Sequence, residues 1–231
     1  MNLHEYPSAE ALDQALASAV SEQLQQDIDN NGVASMAVSG GSTPKGLFAR
    51  LSKMDLAWEK VIVTLVDERW VNPEHADSNE KLVRDCLLQN CAVAAQLIGL
   101  KNGHSSAEQG VTELHSVLQQ LPEKFSVVVL GMGGDGHTAS FFPQSPQLAA
   151  AVDMNTEYSC CATNPVTAPH ERMTLTLPRI LSTKSLFLHI TGAQKKQIFE
   201  QACQAGPLTE YPVRSVIDQS IVDLDVYWTH A

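Results

Sequence analysis

Short, uninterrupted apolar runs alternate along this chain with longer amphipathic stretches. Residues 8–31 carry Ala, Leu and Val at helical spacing behind Ser8, a residue suited to an N-cap, and stop at Asn30-Asn31-Gly32, which predicts a helix packed through one face. Residues 127–130 (VVVL) are continuously apolar, as strands buried on both faces of a parallel sheet are, and 33–38 (VASMAV) and 61–66 (VIVTLV), each broken only by one hydroxyl residue, read as strands as well. A short strand is expected at 96–100 (QLIGL), an alternating one from Met173 to Leu177, and another at 184–191 (KSLFLHIT), closed by Gly192 and a helix containing Lys195 and Lys196. Between them, 79–88 (NEKLVRDCLL) reads as a helix capped by Asp77 or Ser78, and 105–121 as an amphipathic helix ahead of Pro122. In the latter helix Gly110 is a weak spot and His115 is expected to be structural. Pro165 and Pro169 exclude regular structure up to His170 and Glu171, and 212–217 and 222–228 are expected to be extended. This alternation predicts an α/β fold with a mostly parallel sheet.

Three of the predicted strands run into segments that packing alone does not explain. After 33–38 come Gly40, Gly41, Ser42 and Thr43, small residues whose backbone N–H groups can point at an anion, with Pro44 suited to the first turn of a helix carrying Leu47, Phe48 and Leu51. The P-loop spacing GxxxxGK[ST] is missing, so no nucleotide follows from this turn. After 61–66 come Asp67, Glu68, Arg69 and Trp70, three charges at the carboxyl end of a strand that otherwise reads as buried. Then His75, Asp77, Ser78 and Asn79 follow; His75 is a candidate ligand, although a lone loop histidine is more often solvated. After 127–130 comes Gly131-Met132-Gly133-Gly134-Asp135-Gly136-His137.

This last turn matches GxGxxG after a strand. A dinucleotide fingerprint also needs a helix packed behind the third glycine and an acidic residue about 20 positions on, at the end of the next strand. Pro143 and Pro146 cut the following segment, and Asp153 ends no recognisable βαβ unit. The competing reading makes His137 the reactive group, a general base held on a glycine turn with Asp135 two residues before it.

Composition narrows the partners. With 15 basic against 26 acidic residues, a formal charge of −11, the chain lacks the basic face needed for nonspecific binding to nucleic acid or anionic membrane, while a few local Arg and Lys can still form an anion pocket. The five cysteines, at 86, 91, 160, 161 and 203, show no CxxC and no zinc-site spacing, and an odd count suits a reducing compartment. No run of about 18 apolar residues occurs, and the first residues lack a secretory pattern, so a soluble cytoplasmic protein is expected.

Taken in order, Gly40-Gly41-Ser42-Thr43-Pro44, Asp67-Glu68-Arg69, Asp77-Ser78-Asn79, the run Gly131 to Ser140 with Phe142-Pro143, Arg172-Met173-Thr174, and Thr191-Gly192 with Lys195 resemble the 6-phosphogluconolactonases, within the superfamily that also holds glucosamine-6-phosphate deaminase. The ordered set is far more specific than any one motif, and it spans residues 6–228. The resemblance implies a Rossmann-like, mostly parallel sheet flanked by helices with a few extra β segments, folded as one domain over 1–231, with no nucleotide cofactor and no required metal. It implies hydrolysis of 6-phospho-D-glucono-1,5-lactone to 6-phosphogluconate in the oxidative pentose phosphate pathway, by a monomer or small homo-oligomer. Carried over by position, Gly41, Ser42 and Thr43 with Arg172 and Lys195 would hold the phosphate. Asp67 and Arg69 would face the substrate, and His137, oriented by Asp135, would activate water. The deaminase branch has a glutamate five residues after the equivalent of His137; here that place is Phe142, which cannot relay a proton. Gly134 and His170 also depart from the common pattern, without altering a catalytic group. A deaminase, or a sugar-phosphate-binding regulator without turnover, are the alternatives.

Overall fold

In a computed structural model, which describes residues 1–230, the uninterrupted apolar runs form the interior of a seven-stranded sheet. The chain runs β1 (Asn2–Tyr6), α1 (Ala9–Asn31), β2 (Ala34–Val38), α2 (Lys45–Leu51), β3 (Val61–Leu65), β4 (Asp67–Arg69), α3 (Asn79–Cys86), β5 (Gln96–Ile98), α4 (Ala107–Leu118) and β6 (Phe125–Gly131). It continues through α5 (Leu148–Ala151), β7 (Cys160–Thr163), β8 (Arg172–Leu175), α6 (Leu177–Leu181), β9 (Thr183–Thr191), α7 (Ala193–Ala202), α8 (Arg214–Ile217) and β10 (Leu224–Thr229). The large sheet has the order β1-β10-β9-β6-β2-β3-β5 and every pairing in it is parallel. A second sheet, β4-β8-β7, is antiparallel. This is the Rossmann-like α/β architecture expected, with its extra β segments gathered into one small sheet.

Local chemistry places the long helix where the pattern put it. The Ser8 hydroxyl accepts from the Ala11 N–H at its start, and Gly32 closes it in a left-handed cap whose N–H donates to Ile28. Leu12, Leu16, Val20 and Leu24 form its buried stripe. At the centre of the sheet, Phe125 to Leu130 are all buried. Burying each of the Val and Leu side chains stabilises by roughly 1.5–3 kcal/mol. The position of β6 is thus set by the core, and the glycine turn that follows inherits a fixed starting point.

Two expectations about the chain need correcting. Residues 212–217 are not extended: Pro212 opens a helical turn that becomes α8. The buried Arg214 guanidinium holds it, donating to the carbonyls of Ala202, Gln201 and Pro207 and pairing with Glu210. A single apolar-polar pattern over six residues could not announce that anchoring. The N-terminal strand β1 was also unforeseen, because as an edge strand paired only with β10 it is largely exposed and carries no apolar run. Asp67 to Arg69, read as the charged end of a buried strand, leave the large sheet altogether and pair with β8.

Candidate active site

The strand order reverses between β2 and β6. From β2 the chain moves to β3 and β5 on one side, then crosses to β6 on the other. At such a switch point the loops leaving neighbouring strands diverge and open a crevice at the carboxyl edge. Here the two loops are Ser39 to Pro44 and the glycine turn after β6. The Ser39 hydroxyl accepts the Gly131 N–H at 3.2 Å and so ties their roots together. They open onto a cleft of about 230 Å3, lined by Gly41, Ser42, Thr43, Asp67, Arg69, Asn79, Gly133, His137, His189 and Lys195, among others.

The glycine turn is shaped around one imidazole. The Gly133 N–H donates to the His137 carbonyl at 2.9 Å, and the Gly136 N–H to the Gly133 carbonyl at 3.1 Å. A Cβ at Gly133 would lie 2.1–2.2 Å from the His137 ring, so only glycine leaves room for it. Gly136 sits at φ +76, a left-handed conformation that L side chains resist. His137 Nδ1 and Asp135 Oδ1 are 2.5 Å apart, and the same oxygen accepts the His137 backbone N–H at 3.1 Å. Partial burial alone would push the Asp135 carboxyl up, but the hydrogen bonds and charge of His137 outweigh it and hold the pKa below its ordinary value. With Nδ1 engaged by Asp135, Nε2 is the nitrogen left for a reacting group. Phe142 stacks on the ring from the far side, with centroids 4.2 Å apart and planes 28° apart.

Opposite, the amides of Gly41, Ser42 and Thr43 donate to no protein acceptor among the described residues. Lys195, in the first turn of α7, lines the same cleft, and burial lowers its pKa. Unused N–H groups beside an ammonium suit an anion of small volume.

The three charged residues after β3 have separate tasks. The Asp67 carboxylate accepts the Ser140 hydroxyl at 2.6 Å and lines the cleft. Glu68 turns inward and is 1% exposed. Its Oε1 accepts the N–H groups of Arg69 and Asn79, and its Oε2 the Ser78 hydroxyl and the Glu80 N–H. Burial raises its pKa against those bonds. Glu68 therefore fastens the start of α3 beneath β4, and Ser78, not Asp77, caps that helix. Arg69 reaches the cleft and donates to the Asp77 carbonyl at 2.5 Å.

Among the residues expected to bind substrate, Gly41, Ser42, Thr43, Asp67, Arg69 and Lys195 meet His137 around one cleft, and Asp135 stands behind His137. Arg172 is placed otherwise. It pairs in register with Arg69, is 5% exposed, does not line the cleft, and gives Nη1 to the carbonyls of Pro169 and His170. Burial, then the Arg69 charge, lowers its pKa. His75 also lies outside the cleft lining; its Nδ1 accepts the Asp77 N–H, while His170 Nε2 meets the Asp77 carboxylate at 3.0 Å. His115 accepts the Ser159 N–H, a structural task as expected. Two cleft residues escaped sequence reasoning. Asn79 read as part of a helix start, yet its Nδ2 donates to the Asp67 carbonyl and its Oδ1 has no partner. His189 falls within a strand pattern, where a histidine inside LFLHI, three residues before Gly192, is a polar interruption that marks it out.

A family model described as glucosamine-6-phosphate isomerases/6-phosphogluconolactonase matches residues 7–228. A 6-phosphogluconolactonase of Neisseria meningitidis serogroup A is 43% identical over 226 residues, covering 97% of this chain and 97% of the relative. One of Mesorhizobium japonicum is 42% identical, covering 98% and 94%. A crystal structure of a 6-phosphogluconolactonase from Shewanella baltica OS155 superposes with a TM-score of 0.97 at 44% identity, over 99% of this chain and 97% of that one. This chain belongs to the glucosamine-6-phosphate isomerase/6-phosphogluconolactonase family. The seven-stranded parallel sheet is thus that family's fold. Among the described residues, no cluster of three His, Cys, Asp or Glu side chains is placed to hold a metal ion.

Proposed function

We propose that the chain, acting as a single domain, hydrolyses 6-phospho-D-glucono-1,5-lactone to 6-phosphogluconate, with His137 as the general base. The observation that carries the reading is one cleft that holds both a carboxylate-bound imidazole and, across from it, unused amides beside Lys195. The amides of Gly41, Ser42 and Thr43 with Lys195 hold the phosphoryl group, which sets the lactone carbonyl toward His137. His137 Nε2 takes a proton from water as its oxygen adds to C1. Negative charge then develops on the carbonyl oxygen, where Arg69 and the amides of the glycine turn stabilise it. Collapse breaks the C1–O5 bond, the proton passes from the imidazolium to O5, and the open-chain carboxylic acid formed loses its remaining proton to solvent and leaves as the carboxylate. Asp135 keeps the ring oriented and stabilises its charged form throughout.

Phe142 favours hydrolysis over deamination. It stacks against His137 where the deaminase branch of the resemblance carries its glutamate, and a phenyl ring can neither take nor give a proton. Replacing His137 with Ala or Asn should lower turnover about 100-fold or more while circular dichroism stays native. Acid release from freshly made 6-phosphogluconolactone, above its spontaneous rate, is the measurement. An unimpaired variant would remove His137 from the mechanism, and ammonia released from glucosamine 6-phosphate would point to the deaminase instead.

A further inference from the structure

His189 lies on β9, within the sheet, and lines the cleft beside Lys195 while only 2% exposed. Neither ring nitrogen has a hydrogen-bond partner. Its Nε2 faces Asp13 Oδ1 of α1 at 3.6 Å, beyond hydrogen-bonding distance. Burial, then the Lys195 charge, lowers the imidazole's pKa to about 4, while burial raises that of Asp13 despite Arg50. The unliganded protein thus keeps a neutral, unsatisfied imidazole beneath its anion-binding groups. A buried polar group without partners is a net cost to folding, and a leucine at this position of an apolar strand would avoid it. Such a group is explained when a ligand completes its hydrogen bonds.

We propose that His189 is a further ligand-contacting residue of this cleft, and that its imidazole, closed off at both nitrogens as it stands, tilts into the cleft to hydrogen-bond the phosphoryl end of the substrate through Nδ1, the nitrogen not turned toward Asp13. The inference rests on the sugar-phosphate reading of the cleft. Lys195 supplies charge and the Gly41 to Thr43 amides supply direction. His189 adds a polar contact from the sheet itself, the most rigid side of the site. A neutral imidazole does this without placing a second full positive charge beside the lysine.

The test compares His189→Leu and His189→Asn in the full chain. Calorimetry reads the affinity for 6-phosphogluconate, kinetics reads KM and kcat for the phosphorylated lactone and for glucono-1,5-lactone without phosphate, and thermal unfolding reads stability. His189→Leu should bind 6-phosphogluconate about tenfold to a hundredfold more weakly, the usual range for one lost hydrogen bond to a charged group. The loss should fall on KM for the phosphorylated lactone and not for the plain one, while the melting temperature holds or rises. His189→Asn, which keeps a hydrogen-bonding group near Nδ1, should recover part of the affinity. Wild-type affinity and KM in a folded His189→Leu would overturn the inference, as would an equal loss on both lactones. If the wild-type chain binds 6-phosphogluconate and His189→Leu does not, yet neither hydrolyses the lactone, the lactonase reading falls and this inference stands.

Discussion

Gly136, between Asp135 and His137, should tolerate no side chain, for two separable reasons. Its φ of +76 is left-handed, which costs an L residue about 1–2 kcal/mol. In addition, an alanine Cβ would stand 2.5 Å from Tyr211 Cδ1 and 3.1 Å from Tyr211 Cβ. Ordinary carbon contacts lie near 3.5–4.0 Å, so ring or turn must yield by about 1 Å, and forced packing of this kind typically costs about 1–3 kcal/mol more. The turn cannot simply retreat, because the Gly136 carbonyl accepts the Val213 N–H at 2.9 Å from the same segment that carries Tyr211. Gly136→Ala should therefore destabilise by about 2–5 kcal/mol. Its lactonase kcat/KM should fall about 100-fold as His137 is displaced. Urea unfolding of wild type, Gly136→Ala, Tyr211→Ala and the double variant separates the two causes. Removing the Tyr211 ring should remove the 2.5 Å clash and leave the backbone term with the milder contact to Cβ, a coupling of about 1–3 kcal/mol. Equal penalties in both backgrounds would refute the steric half, and a Gly136→Ala variant within about 0.5 kcal/mol of wild type would refute both.

Other consequences follow from single contacts. Glu68→Ala strands four donors in the interior and should lower stability by about 3–5 kcal/mol, seen by urea unfolding; a wild-type curve would mean that water satisfies those donors. Phe142→Leu keeps an apolar side chain but loses the stacked ring, worth about 0.5–1.5 kcal/mol, so kcat should drop roughly twofold to tenfold. An unchanged kcat would show that the imidazole is held by Asp135 alone. His189, held at about 4 by burial and Lys195 with Asp13 nearby, takes up its proton on unfolding. Because the unfolded imidazole binds a proton near pH 6.5, its contribution is intact above that value and is lost as pH falls toward 4, a change on the order of 3 kcal/mol. His189→Leu should lack this part of the acid-side loss of stability; an identical pH dependence in wild type and variant would contradict it.

The legible parts of this protein were those written in local pattern. Val127 to Leu130 announced a buried central strand because a strand covered on both faces favours apolar residues at successive positions. Ser8 and Gly32 bracketed α1 because caps act within a few residues. Asp135 and His137, two apart on one turn, read as a pair because their contact needs only the turn's own geometry. Spacing and order carried the family resemblance as well.

What escaped depends on which strands become neighbours. Asp67, Glu68 and Arg69 are adjacent in the chain, yet one lines the cleft, one caps α3 from inside and one reaches both the cleft and the Asp77 loop. That division follows from β4 leaving the large sheet to pair with β8, a contact more than 100 residues away along the chain. Arg172 shows the same limit, since its carbonyl partners and its place opposite Arg69 arise from that pairing. His189 is a strand residue by its pattern, and only the order β9-β6-β2 brought it into the cleft with the loop of Gly41 to Thr43. By itself, then, the sequence determined the central strands, the long helix with its caps and the turn that pairs Asp135 with His137, all governed by interactions a few residues long. Only the tertiary structure decided which side chains share the cleft, because the crossover at β2 and β6 places groups from six different segments against one another.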